Sequence, residues 1–173
     1  MAGSLEFIKS ATSATTVSSL EVTDCFNADY DVYKVYITKI DITSLDWIAW
    51  SYLDSGGSEV TSALYDEAVF EMKSYQAFGE GLTTGGTRHL RGVRGSSGAT
   101  DFAGFELTIF NPYSSSSYTF AKTQSSAYST NNGGMFGSKG VFVLKQSATH
   151  TGIKIFPSSA SMDNVTVKVF GVK

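Results

Sequence analysis

Three arginines and a histidine fall within seven residues, Arg88-His89-Leu90-Arg91-Gly92-Val93-Arg94. Guanidinium groups suit bidentate pairing with carboxylates or phosphate. Arg88, Arg91 and Arg94 are therefore candidate partner-binding residues of a contact arm. The same run also reads as a hairpin strand that adds to a neighbour's sheet, or as a solvated basic loop balanced by Glu80 and Asp101. It holds no aromatic on which a base could stack, which argues against RNA. His89 and His150 are the two histidines. A triad needs a nucleophile, a base and an orienting acid in mutual reach, and the serines here form no Gly-x-Ser-x-Gly elbow. His150, in Ala148-Thr149-His150-Thr151-Gly152, reads as an exposed turn residue. Cys25 follows Asp24, an acid rather than an activating base, and reads as a small buried hydrophobe.

No His-x-x-x-His or Cys-x-x-Cys pair frames a zinc site. The run Asn27-Ala28-Asp29-Tyr30-Asp31 could offer oxygens to Ca²⁺ but lacks the glycine and terminal glutamate of an EF-hand. Its acids read better as turn caps before the next strand, as do the other close acidic pairs, Asp41 and Asp46 among them. No metal and no cofactor is expected. Trp47 and Trp50 lie an odd number of positions apart, so on one strand they face opposite sides. One is then core, and the other is a candidate anchor for a partner or a sugar ring.

These residues must be positioned by strands. Period-two alternation of β-branched and aromatic residues marks Val32–Ile40, Leu45–Leu53, Phe105–Phe110, Ser117–Thr123, Gly152–Phe156 and Val165–Phe170. Gly140–Ser147, with Val141-Phe142-Val143-Leu144, reads as a strand buried on both faces. Leu5–Ser10 and Val17–Val22 are weaker strands. Residues 62–73 fit a helix with Glu67 and Glu71 on one face, but the all-strand surroundings favour a strand from Tyr65 to Lys73. Eight to ten short strands with turns between them, such as Asp54-Ser55-Gly56-Gly57, indicate one antiparallel sandwich or barrel spanning residues 1–173. The segment Gly79–Gly104 breaks the pattern and reads as a long Gly-rich loop carrying the arginines.

Composition narrows the function classes. The chain has 173 residues, 42% hydrophobic and 17% charged, with a net charge of -3 and one cysteine. That is ample for a core and excludes an internal disulfide. An acidic chain is a poor general nucleic-acid binder. Ser and Thr make up roughly a quarter of the residues, about twice the usual share, and hydroxyls solubilise a face without repelling a neighbour. The opening residues lack the basic start and apolar run of a secretory signal. No stretch approaches the ~18–20 apolar residues of a membrane helix. No membrane partner is expected.

Several phrases carry a resemblance. They are Phe7-Ile8-Lys9-Ser10, Thr23-Asp24-Cys25-Phe26, Ala28-Asp29-Tyr30-Asp31-Val32-Tyr33-Lys34-Val35 and Phe110-Asn111-Pro112 with Ser117-Tyr118-Thr119-Phe120. The ending adds Ile153-Lys154-Ile155-Phe156-Pro157-Ser158-Ser159 and Val167-Lys168-Val169-Phe170-Gly171-Val172-Lys173. Together they resemble small virion proteins of tailed bacteriophages, especially marine and cyanobacterial ones. The similarity covers most of the chain outside the arginine segment. It implies an all-β, jelly-roll-like β-sandwich located in the virion, with no enzymatic role. The resulting expectation is a capsid decoration or cement protein made in the host cytoplasm. It would bind the major capsid protein or other virion proteins as a homo-oligomer, a trimer for example. The alternative is a tail-fibre or head-fibre protein that binds host glycans through exposed Tyr and Trp.

Overall fold

The computed structural model describes residues 4–95, 103–129 and 133–173. Among them there is no helix, and thirteen strands form two antiparallel sheets. The strands are β1 (Leu5–Thr12), β2 (Leu20–Val22), β3 (Val32–Ile42), β4 (Asp46–Asp54), β5 (Tyr65–Lys73), β6 (Gly79–Gly86) and β7 (His89–Gly95). After them come β8 (Ala103–Phe110), β9 (Thr119–Ser129), β10 (Gly134–Leu144), β11 (His150–Pro157), β12 (Met162–Asp163) and β13 (Thr166–Val172). The larger sheet runs β1-β13-β3-β8-β9-β10-β5-β6, with β12 beside β3. The smaller runs β2-β11-β4-β7.

The topology contains a jelly roll. Setting aside β12 and the hairpins β5–β6 and β9–β10 leaves eight strands. First pairs with last (β1 with β13), second with seventh (β2 with β11), third with sixth (β3 with β8) and fourth with fifth (β4 with β7). That nested pairing is how a jelly roll wraps. The two hairpins are insertions that pair with each other through β10 and β5 and carry the larger sheet four strands beyond β8.

The core lies between the sheets of the eight-strand body. Tyr33, Val35 and Ile37 on β3, Leu107 and Ile109 on β8, Ile48, Trp50 and Tyr52 on β4 and Ile153 and Ile155 on β11 are all buried. Each set recurs at every second position, so alternation alone puts it on one face. Turn chemistry closes the body. The Asp54 carboxylate accepts the N–H groups of Gly56 and Ser58 at 2.8 and 2.9 Å, and Gly57 takes φ +80°, a conformation glycine adopts without a Cβ clash.

Two expectations need correction. Residues 79–95 are not a loop: they form β6 and β7, while 96–102 lie outside the described residues. Pairing with β5 and β4 supplies what the glycine-rich sequence does not show by itself. The strand β10 is not buried on both faces, because Val141 is 63% exposed. The expectation for β5 holds from Tyr65 to Lys73.

Candidate interaction face

The inserted hairpins invert the usual polarity of a sheet. On β5, Tyr65, Glu67, Val69 and Glu71 point inward and are buried, while Ala68 and Phe70 face out. On β9, Thr123 and Ser125 are buried and Phe120 and Tyr128 exposed. On β10, Ser138 is buried and Met135 and Val141 exposed.

Most of the inward polar groups are satisfied by one another, while the Thr123 hydroxyl has no hydrogen-bond partner among the described residues. Glu67, 1% exposed in its side chain, accepts Arg91 Nη1 at 2.6 Å, Leu90 N–H at 2.7 Å and Thr83 Oγ1 at 3.2 Å. The Leu90 N–H is free to turn there because the β4–β7 register shifts between Ile48 and Trp50. Gly81 makes room for the arginine: a Cβ there would lie 2.5 Å from Arg91 Cδ. Ser138 Oγ donates to Gly92 C=O at 3.0 Å and lies 2.6 Å from Ser125 Oγ. Glu71 pairs with Lys73 at 2.6 Å. A buried carboxylate with a paired cation and two further donors avoids most of the penalty of an isolated charge.

The outward face gathers large apolar side chains among a few charged ones. Phe70 (47% exposed), Leu82 (69%) and Val141 (63%) surround Ala68. The register sets Val141, Ala68 and Leu82 side by side on β10, β5 and β6. A shallow depression of about 480 Å³ runs over them, bounded by Lys122, Lys139 and Glu80. Phe78 packs on Phe70 with centroids 5.3 Å apart, and Phe120 adjoins from β9. Four strands about 4.8 Å apart and about 30 Å long give a face of roughly 600 Å². Within it the exposed apolar side chains cluster around Ala68, with Lys122, Lys139 and Glu80 at the margin, the pattern of an interaction site.

The expected site residues are dispersed. Arg91 is committed to Glu67 within the chain, and the Arg88 guanidinium lies 5.2 Å over the Phe156 ring. Arg94 sits on the edge strand β7, opposite Trp47. The three arginines therefore do not form a projecting arm. Trp50 is fully buried against Phe142, 4.5 Å away between centroids, and is out of reach of a sugar. Trp47 is half-buried, its ring edge-on to Phe136 at 5.3 Å.

The histidines are interior groups. His150 is not an exposed turn residue: it is buried at the start of β11, its Nδ1 3.1 Å from Thr119 Oγ1. His89 sits among Trp50, Tyr52, Tyr65 and Phe142, and neither ring nitrogen has a hydrogen-bond partner among the described residues. Burial pushes its pKa down to about 3 and lowers that of His150 in the same direction. Neither histidine holds a serine at hydrogen-bond distance among the described residues. Cys25 is buried, as expected, and burial raises its thiol to about 12. Asn27 Oδ1 accepts the Asp29 N–H at 2.9 Å, so the cap here is the amide of Asn27 rather than the acids expected to supply it. No cluster of three His, Cys, Asp or Glu side chains suited to a metal occurs among the described residues.

Asp46, expected as a turn cap, also ties distant parts of the chain together. Asp46 accepts the N–H groups of Trp47 and Ala160, at 2.7 and 3.0 Å, and bonds from Ser158 and Ser159. Burial opposes its ionisation, but these donors outweigh that and hold its carboxyl below the usual range. It clasps the start of β4 to the segment after β11. No protein-family model matches the chain, and no curated protein matches it.

Proposed function

We propose that this chain is a structural component of a bacteriophage virion, a decoration or cement protein held in place by protein neighbours and catalysing no reaction. The observation that carries the reading is the outward apolar face of β9, β10, β5 and β6. A sheet that exposes Phe70, Leu82 and Val141 on one side while burying glutamates and serines beside its core residues on the other has a face shaped for another protein surface. The Ser/Thr-rich composition and the resemblance of the chain's opening and closing segments to small virion proteins point the same way. The jelly roll serves such a role but also many others, so it adds little by itself.

The test is location. Antibodies raised against the purified protein are applied to particles from cells that produce it, with gold labelling and electron microscopy. Label on the capsid or tail, and the chain co-sedimenting with the major capsid protein, is the expected result. A chain that stays in the soluble fraction while particles form would overturn the proposal.

A further inference from the structure

The outward face is patterned symmetrically about the line of β5. At one level Lys139 on β10 and Glu80 on β6 flank Phe70. At the next, Val141 and Leu82 flank Ala68. A cation thus stands opposite an anion and an aliphatic side chain opposite another. Lys139 and Glu80 are both exposed, and neither has an ion-pair partner among the described residues.

We propose, on the strength of the assembly role above, that this face is closed by a second copy of the chain. The two copies are related by a two-fold axis that runs along β5 in the plane between the opposed faces. Such a rotation exchanges the β10 side with the β6 side. Val141 of each copy then covers Leu82 of the other, and Phe70 meets its own counterpart. Lys139 of each copy lies over Glu80 of the other, which makes two equivalent ion pairs. An isologous interface requires this self-complementarity, whereas an unrelated partner would not need the face to mirror itself in apolar bulk and reverse itself in charge. The strands of the two copies run along one another, the aligned mode in which sheets stack about 10 Å apart. Rotation about β5 overlaps three strands, β10, β5 and β6, whose face of roughly 430 Å² is about half the ~800 Å² per partner of an ordinary stable interface, so the dimer is a weak, concentration-dependent one.

The full chain is examined by sedimentation equilibrium over a concentration series at low salt. A dimer is expected, twice 18.5 kDa in mass. Val141→Glu should yield monomer with an unchanged circular dichroism spectrum. Lys139→Glu and Glu80→Lys should each weaken association about tenfold, since each turns both pairs into like charges. The double variant Lys139→Glu/Glu80→Lys should recover the wild-type constant to within about threefold. A monomer at every concentration overturns the pairing. So does a dimer indifferent to Val141→Glu or to the single charge reversals, or a double variant that is not rescued. The measurement needs no particle. A monomer found in virions therefore sinks the pairing alone, and a rescued dimer absent from virions sinks the virion role alone.

Discussion

The jelly-roll body and its inserted four-strand extension use one sheet in opposite ways. In the body the inner face of the larger sheet is aliphatic and aromatic, and Lys34, Tyr36, Thr38 and Glu106 occupy alternate positions facing outward. In the extension the inner face carries Glu67, Glu71, Ser125 and Ser138 among core residues such as Tyr65, Val69 and Phe142, and the outer face carries Phe70, Leu82 and Val141 beside Lys139 and Glu80. The body gains its stability from apolar area removed from water. The extension gains less from that source and relies on paired polar groups that hold it against β7. A small body sheet has a free edge at β7, and the extension packs β9, β10 and β5 across it. The polar lining lets Arg91 and the β7 backbone be satisfied there. The apolar outer face is what remains for a partner.

The sharpest way to break this comparison is to open the body. Trp50 is 0% exposed and touches His89, Phe105 and Phe142. Trp50→Ala should cost about 3–5 kcal/mol, the transfer term plus the cavity left behind, read as a fall in the urea midpoint. A loss below about 1 kcal/mol would mean that the aromatic cluster is not the body's centre.

The extension should break through charge instead. Glu67→Ala leaves Arg91 beside a buried void and strips the Leu90 N–H and Thr83 hydroxyl of their acceptor. Removing one partner of a buried pair costs about 3 kcal/mol. Glu67→Ala with Arg91→Ala should be less destabilising than the two single losses added, because the orphaned charge is gone. Additive losses in that double-mutant cycle would show that the pair is not coupled.

This inversion explains what the sequence made legible. In the body, alternation of large apolar residues is the physical cause of the fold, so β3, β4, β8, β11 and β13 could be placed from the pattern. In the extension the same alternation is present in β5 with its sense reversed. A strand could be assigned from Tyr65 to Lys73, but both of its faces mix apolar and acidic residues, so hydropathy could not say which one meets the core. Gly79–Gly86 held no apolar period because Gly81 exists to admit the Arg91 side chain, a requirement set by a residue ten positions away. The arginine run looked like one site because it is contiguous. Its side chains separate once the β7 register shift and the Phe156 ring take Arg91 and Arg88 in different directions. Asp46 could be read as a local cap, but its donors at Ser158, Ser159 and Ala160 are more than a hundred residues distant and left no local signal.

Acid should weaken the junction of the two regions. His89 stands where the body's aromatic cluster meets β5 and β10, and its pKa is held at about 3. An unfolded histidine titrates near 6.5. Between those values the unfolded chain binds a proton that the native chain refuses, so stability falls as pH falls through that window. The slope is about 1.4 kcal/mol per pH unit, and the loss from pH 7.5 to pH 5 comes to about 2 kcal/mol. His150, lowered in the same direction, adds to it. Urea titrations at the two pH values should show the loss, and His89→Leu should flatten the dependence. Equal midpoints for the wild-type protein would place His89 in contact with water.

The smallest effect is the most telling about the outer face. Leu82 is 69% exposed, so its removal creates no cavity and leaves no polar group unpaired. Leu82→Ser, measured by urea unfolding at a concentration where the chain is monomeric, should change stability by less than about 0.5 kcal/mol. A buried leucine of the body would lose several times that. A large hydrophobe that contributes almost nothing to its own domain, on a sheet whose opposite side buries charge, is retained for something outside the domain. If Leu82→Ser instead unfolds the isolated chain, the outer face belongs to the fold, and the contrast between body and extension collapses.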